Sequence, residues 1–480
     1  MELLKKQKAT SLLYYLSASI ILFFLISRAI SLNIQGDEVG TYFRARAGLG
    51  PILRLEDPNN HFLNTALIYI TTLKAEYSEI AIRLPSIAIY SWFIFIYVPR
   101  ARCFKGWEGR LLFLGVINLS FYFGEYVSMA RGYAMSGCFA AAAFSELIAS
   151  EPSKNRDSLI IIKRDLHLTV FAFLSVLASL SAAPLAAFIL LREMLKRKRG
   201  KLESLNLSIR SYNSNVVYFV GLVLIIAFAA VSYQQIKASN IALPVASLPL
   251  RNVPRMLLEL GFIKATISAA FSSFGEADLL TAFNKVSNTL VLVFLVLASF
   301  VSAIKITVKR KDSMDNETGF ASANAMKVLY GSLLVVLVIG VFSTYPGGRV
   351  WLTYWPSVSV MLGVLGEYSF NNYLIGRLPI SLIVAPVFLT LGLLNLSLNF
   401  TTNYVTELRP FYYQYKSLMH YSKAQNLRCL AYGDINDNVL RFYFMNPKGG
   451  IPEPKECSNG EQSQPGFMQY SHKNKEPFFE

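Results

Sequence analysis

Charge is what this sequence has least of. Of 480 residues, 16% are Asp, Glu, Lys or Arg, where a soluble protein carries about 25%. So few charges cannot cover an ordinary aqueous surface of this size. Cysteine is scarce as well, at four residues. There is no Cys-x-x-Cys pair and no His/Cys array, so nothing suggests a structural zinc site. Cys103 falls at the end of an apolar run and Cys138 inside one. Cys429 and Cys457 lie near the carboxy terminus, where an oxidising compartment would allow a disulfide; spacing alone does not decide whether they pair. No internal repeat is visible, so the inverted-repeat signature of many secondary transporters is missing. No A-x-A site cleanly follows the first apolar run, Thr10 to Leu32, and that run is too long for a signal-peptide core. It reads as an uncleaved anchor.

Long apolar runs are abundant. Hydrophobic residues make up 53% of the chain and the mean hydropathy is +0.40. A helix needs about 20 apolar residues to cross a bilayer. Runs near that length predict about eleven spans, an all-α polytopic membrane protein. They lie near 11–33, 81–98, 109–125, 131–149, 166–181, 183–195, 214–232, 287–306, 327–345, 350–367 and 379–398. The fifth and sixth are short and joined tightly at Ala183-Pro184.

The formal net charge of +16 is distributed in a way that favours topology over nucleic-acid binding. Basic clusters at Lys5-Lys6-Lys8, Arg100-Arg102-Lys105, Lys163-Arg164, Lys196 to Lys201 and Lys309-Arg310-Lys311 fall on alternate loops. The positive-inside rule makes that side cytoplasmic. The amino terminus is then inside. Residues 34–80, 233–286 and the carboxy-terminal stretch are outside. A bacterial chain of this kind belongs in the inner membrane.

The organisation expected is a transmembrane domain over 1–398 with two long outer loops, and an extracytoplasmic extension over 399–480. In that extension apolar runs stop, and the polar stretch Pro452 to Gln464 has a disordered composition. Asp57-Pro58 reads as an N-cap with proline at the first helical position. The following helix, Asn59 to Lys74, carries His61, Asn64, Thr65 and Thr72 on one polar stripe, so it suits the interface with its apolar side in lipid. Pro254 to Phe271 reads as a second amphipathic helix.

The chemistry-bearing residues cluster on the outer side. Gln35-Gly36-Asp37-Glu38 follows the first span, and Asn60-His61-Phe62-Leu63 comes about twenty residues later. Arg83-Leu84-Pro85-Ser86 opens the second span and Ala130-Arg131-Gly132-Tyr133-Ala134 the fourth. Arg349 follows Tyr345-Pro346-Gly347-Gly348. In this order the chain resembles the GT-C membrane glycosyltransferases, nearest to the branch containing protein O-mannosyltransferases and the aminoarabinose transferase of lipid A. The likeness covers roughly 10–150 and, loosely, 340–370. The family's His-Pro-Pro-Leu is here His61-Phe62-Leu63, a departure around the histidine.

The resemblance implies an extracytoplasmic transferase that moves a sugar from a polyprenyl-phosphate donor to an acceptor hydroxyl on a lipid-linked glycan, a glycolipid or a protein. Asp37 matches the family's acidic residue after the first span, which is implied to act as base or to position the acceptor. Alone it would be a solvated acid at a helix start. Glu38 is a second catalytic carboxylate that tunes Asp37 by like-charge repulsion, or a surface acid. Arg131 and Arg349 are implied to hold the donor phosphate, since arginine meets phosphate with paired hydrogen bonds; the plain alternative is snorkelling at a span end.

His61, Tyr133 and Asp57 are the substrate-binding candidates. Asp57 is better read as a cap, and Tyr133, with Trp351, Tyr354 and Trp355, as part of an aromatic belt. Arg83 reads as a tie between the first outer loop and the second span. Glu125, an acid near a span end, is functionally suspect. Carboxylates with a histidine are a donor set for a divalent ion, and the sequence leaves metal dependence open; no other cofactor is implied.

Two other classes stay open. A lipid-linked glycan ligase or polymerase shares the outward geometry, but keeps its key arginines and histidine in a large late loop. A transporter or flippase would place ionisable residues and broken helices near mid-membrane.

Overall fold

A computed structural model of the protein describes residues 2–32, 34–54, 61–75, 77–149, 158–201, 208–238, 352–370 and 378–398, parts of 286–301, and short strands elsewhere. The helices are α1 Glu2–Ser31, α2 Gly36–Arg46, α3 Leu49–Leu53, α4 Phe62–Thr72 and α5 Glu79–Trp92. A π-helical turn, Phe93–Tyr97, carries α5 into α6 Val98–Arg100. Then come α7 Trp107–Leu119, α8 Phe121–Val127, α9 Gly132–Ile148, α10 Ser158–Ala178, α11 Ala183–Lys201 and α12 Ser208–Ala238. Late in the chain are α13 Trp355–Phe370 and α14 Ile380–Leu398.

The expected spans are helical over most of their described residues; 327–344 lies outside the described residues, and Tyr345 stands in a two-residue strand. Three helical segments are long and apolar enough to cross a membrane among the described residues: Gln7–Ser31, Glu79–Arg100 and Asn215–Ser232. Their outer faces are apolar and uncovered, with Leu12 70% and Phe23 69% exposed. Such faces belong in lipid, and the chain is an integral membrane protein. The small β content consists of strand pairs of two or three residues, such as Val245–Ala246 with Tyr345–Pro346 and Cys429–Leu430 with Lys455–Glu456. The expected helix Pro254 to Phe271 and Cys457 lie outside the described residues.

The centre of the bundle is α7, buried at every position from Gly109 to Leu119. A helix that is apolar all round belongs inside. It packs on α13 and α14. Gly115 is what lets α14 come close: a Cβ there would lie 2.6 Å from the Leu389 nitrogen. One at Gly392 would lie 2.7 Å from the Gly115 carbonyl oxygen. Small residues at such crossings replace the hydrophobic drive that lipid removes.

The expected span 109–125 is two helices, broken at Ser120. The break leaves the last carbonyls of α7 without helical partners, and side chains from the two neighbours supply them. Trp355 Nε1 donates to the Ile117 carbonyl at 2.9 Å. Asn395 Nδ2 donates to the carbonyls of Asn118 and Leu119 at 3.1 and 3.0 Å. Ser120 then caps α8, accepting from the Phe123 amide at 3.1 Å. This corrects the belt reading of the late aromatics: Trp355 is 0% and Tyr354 2% exposed. Trp351 lies outside the described residues.

In the first loop the helix expected over Asn59 to Lys74 is observed as α4, with His61 at its N-cap position; residues 55–60 lie outside the described residues. The polar stripe of α4 is turned inward: His61, Asn64, Thr65 and Thr72 are all buried, while Ile70 and Leu73 are exposed. In lipid that is the favourable arrangement, because buried polar groups find protein partners. Thr71 shows how. Pro85 inside α5 removes the amide that would bond the Ala81 carbonyl, and Thr71 Oγ1 donates to that carbonyl at 2.7 Å.

Candidate active site

The site is built around the start of α2. Asp37 and Glu38 occupy its first turn, where the positive pole of the helix favours them. They face opposite fates. Glu38 is completely buried and accepts four hydrogen bonds. Arg83 grips it with both prongs, Nε to Oε1 at 2.9 Å and Nη2 to Oε2 at 2.8 Å. The Gln35 amide donates to Oε2 at 3.0 Å and the Ala130 amide to Oε1 at 2.8 Å. Arg83 also donates from Nη1 to the carbonyls of Ala29 and Leu32, at 2.6 and 2.7 Å. It thereby satisfies carbonyls at the carboxy end of α1. One carboxylate and one guanidinium thus tie α1, α2, α5 and the turn before α9. The reading of Glu38 as a surface acid is corrected, because it is completely buried against Arg83.

Asp37 is different. Its side chain is 50% exposed, and Arg131, 2% exposed, donates from Nη2 to Oδ2 at 2.5 Å. The buried guanidinium fixes the orientation of a carboxylate that still faces outward. Arg131 also lies over the Tyr133 ring, 6.0 Å from its centroid. Among the described residues its buried Nε has no acceptor.

The segment Ala130 to Tyr133 is the hub. Asn64 Nδ2 donates to the Ala130 carbonyl at 3.0 Å, and Ser86 Oγ to the Arg131 carbonyl at 3.4 Å. Gly132 lies against the Ala178 carbonyl and His61, where any Cβ would collide with both. His61 is 2% exposed. Its Nδ1 lies 3.1 Å from the Ala178 carbonyl, and its ring meets Tyr133 edge-on with centroids 4.5 Å apart. Tyr133, 7% exposed and packed also on Tyr126, is not a belt residue. Further in, Arg28 faces Glu125 at 3.9 Å, which supplies the partner that the sequence left unnamed.

The structure therefore brings together Asp37, Glu38, His61, Arg131 and Tyr133. Asp57 and Arg349 lie outside the described residues. Sequence reasoning missed Asn64, Ser86 and Gly132 as organisers. Only the short spacing of Asn64 from His61, and the glycine beside Arg131, hinted at them. Among the described residues the site holds three carboxylate–arginine pairs: Asp37 with Arg131, Glu38 with Arg83, and Glu125 with Arg28. Among the described residues no three His, Cys, Asp or Glu side chains gather as a metal site.

The chain matches no protein-family model and no curated protein sequence. A crystal structure of ArnT from Cupriavidus metallidurans bound to undecaprenyl phosphate is similar in backbone, with a TM-score of 0.47 and 10% identity, over 91% of this chain and 89% of that one.

Proposed function

We propose that this protein is a GT-C-type membrane glycosyltransferase that moves a sugar from a polyprenyl-phosphate donor to an acceptor hydroxyl at the extracytoplasmic surface. The observation that carries the reading is Asp37: a half-exposed carboxylate held by a buried arginine, on a platform where the four early motifs meet. A general base must reach its substrate and keep its orientation, and Asp37 meets both needs.

In the proposed reaction the acceptor hydroxyl gives its proton to Asp37 as its oxygen attacks the anomeric carbon. The bond from that carbon to the phosphate oxygen breaks, and polyprenyl phosphate leaves with the electron pair. Configuration inverts in this single displacement. Arg131 takes one carboxylate oxygen and leaves the other for the hydroxyl. Arg131 and Arg349 are the phosphate ligands that the motif order supplies. Glu38 and Arg83 position Asp37 without touching substrate. His61 and Tyr133 form the wall beneath the site.

The test uses the full chain in proteoliposomes with a panel of polyprenyl-phosphate sugars and membrane-extract acceptors, with products read by mass spectrometry. Transfer by the wild type, and none by a folded Asp37→Asn variant, is the expected result. Full transfer by Asp37→Asn would remove Asp37 from the chemistry. Transfer only from oligosaccharide diphospholipids would favour the ligase reading.

A further inference from the structure

A second site lies at the other end of α5. Arg83, in the clasp, and Arg100, where α6 ends, are 17 residues apart in one continuous helical run, a rise of about 25 Å. That is close to the hydrocarbon thickness of about 30 Å, so the two ends sit at opposite membrane surfaces. At the Arg100 end is a cavity of about 600 Å³, within the roughly 300–1,000 Å³ typical of ligand pockets.

Its construction is two-sided. Arg100, Arg102, Lys163 and His167 are exposed at its rim. The wall is aromatic: Phe171 lies 5.6 Å from Trp92 and 5.5 Å from Tyr97, centroid to centroid. The one acid in the lining, Glu146, accepts from the Tyr97 hydroxyl at 3.1 Å. A fourth cation in the lining, Arg164, is buried against Glu193 at 3.0 Å, so it braces α10 on α11. Arg100 donates to the Ile96 carbonyl at 3.4 Å and offsets the negative pole of the helix end. An excess of positive charge remains.

The apolar side continues outward. Ile96 is 46% exposed, and Ile162, Leu166 and Val170 form an uncovered stripe on α10 beside Lys163 and His167. A free anion would use the cationic rim and leave that stripe bare. A ligand with an anionic head and apolar chains would use both.

We infer that this cavity binds an anionic diacyl phospholipid of the leaflet on the basic-loop side, its phosphate on Arg100, Arg102 and Lys163 and its chains along Phe171 and the α10 stripe. Basic pockets between membrane helices on the cytoplasmic side suit such head groups. The lipid would pin the α5–α6 run to α10, the two elements that also hold Arg83 and the Ala178 carbonyl at the far end. This inference is independent of the transfer reaction.

The test is native mass spectrometry of the full chain released from nanodiscs of equimolar phosphatidylglycerol and phosphatidylcholine with matched chains. The expected result is at least tenfold preferential retention of phosphatidylglycerol. The Arg100→Gln, Arg102→Gln, Lys163→Gln triple variant, changed only at exposed positions, should lose that preference. The Arg100→Lys, Arg102→Lys double variant should keep it. Equal retention of both lipids, or an unchanged preference in the triple variant, overturns the proposal. So does displacement of phosphatidylglycerol by glycerol phosphate or by polyprenyl phosphate at equal concentration.

Discussion

Replacing Glu38 by glutamine should unfold the site, although the shape is nearly unchanged. Every group around the Glu38 carboxylate is a donor: two N–H groups of Arg83 and the amides of Gln35 and Ala130. A glutamine amide would turn two hydrogens toward those donors and deprive Arg83, 1% exposed, of the carboxylate that it grips. Removing one partner of a buried ion pair costs about 3–5 kcal/mol. The lost acceptors for Gln35 and Ala130 do not add in full, because all four bonds share one carboxylate. Glu38→Gln should therefore lose about as much as Glu38→Ala, on the order of 3–5 kcal/mol.

Asp37→Asn should cost less, because the site is half open to water and the asparagine Oδ1 still accepts from Arg131; exchanging a charged for a neutral acceptor there is worth about 1–2 kcal/mol. Thermal or denaturant unfolding in a fixed detergent, followed by tryptophan fluorescence, reads both variants. A double-mutant cycle with Arg83→Ala should show a coupling of about 0.5–3 kcal/mol. If Glu38→Gln stays within about 1 kcal/mol of wild type, the value of an exposed pair, then the clasp does not hold the site and the reasoning fails.

Three further outcomes follow from single contacts. Gly132→Ala places a methyl group against the Ala178 carbonyl and His61; it should cost about 1–3 kcal/mol as overpacking and reduce transfer, both measured on the purified protein. Trp355→Phe leaves the buried Ile117 carbonyl without its indole donor, a loss of about 1–3 kcal/mol to which the space left by the smaller ring adds, in the same unfolding assay. Thr71→Val strips the donor from the Ala81 carbonyl and should destabilise by about 1–3 kcal/mol. In a Pro85→Ala background, where the residue-85 amide can reach that carbonyl again, the same change should be nearly silent, and an equal loss in both backgrounds would disprove the compensation.

The membrane class was legible in the sequence because hydropathy needs only composition and length. The position of Asp37 just beyond the first span was legible for the same reason. The order of the early motifs pointed to one site, and the structure gathers Gln35, Glu38, His61, Asn64, Arg83 and Ala130 to Tyr133 at one place. The break at Ser120 was not legible, since no proline or glycine lies within three residues of it. Nor was the burial of Trp355 and Tyr133, because an aromatic at a span end has the same sequence signature in a belt as in a core.

Sequence alone determined that the chain enters a membrane and that an acidic pair stands at the mouth of its first span. It did so because transfer of apolar side chains into lipid depends on their number and spacing. Only the tertiary structure decided which acid is which. Adjacent residues at a helix start point in directions about 100° apart. One of them therefore met Arg83 in the interior, and the other met Arg131 at an open edge. The difference between a clasp and a candidate base lies in those partners, which are 45 and 94 residues away along the chain.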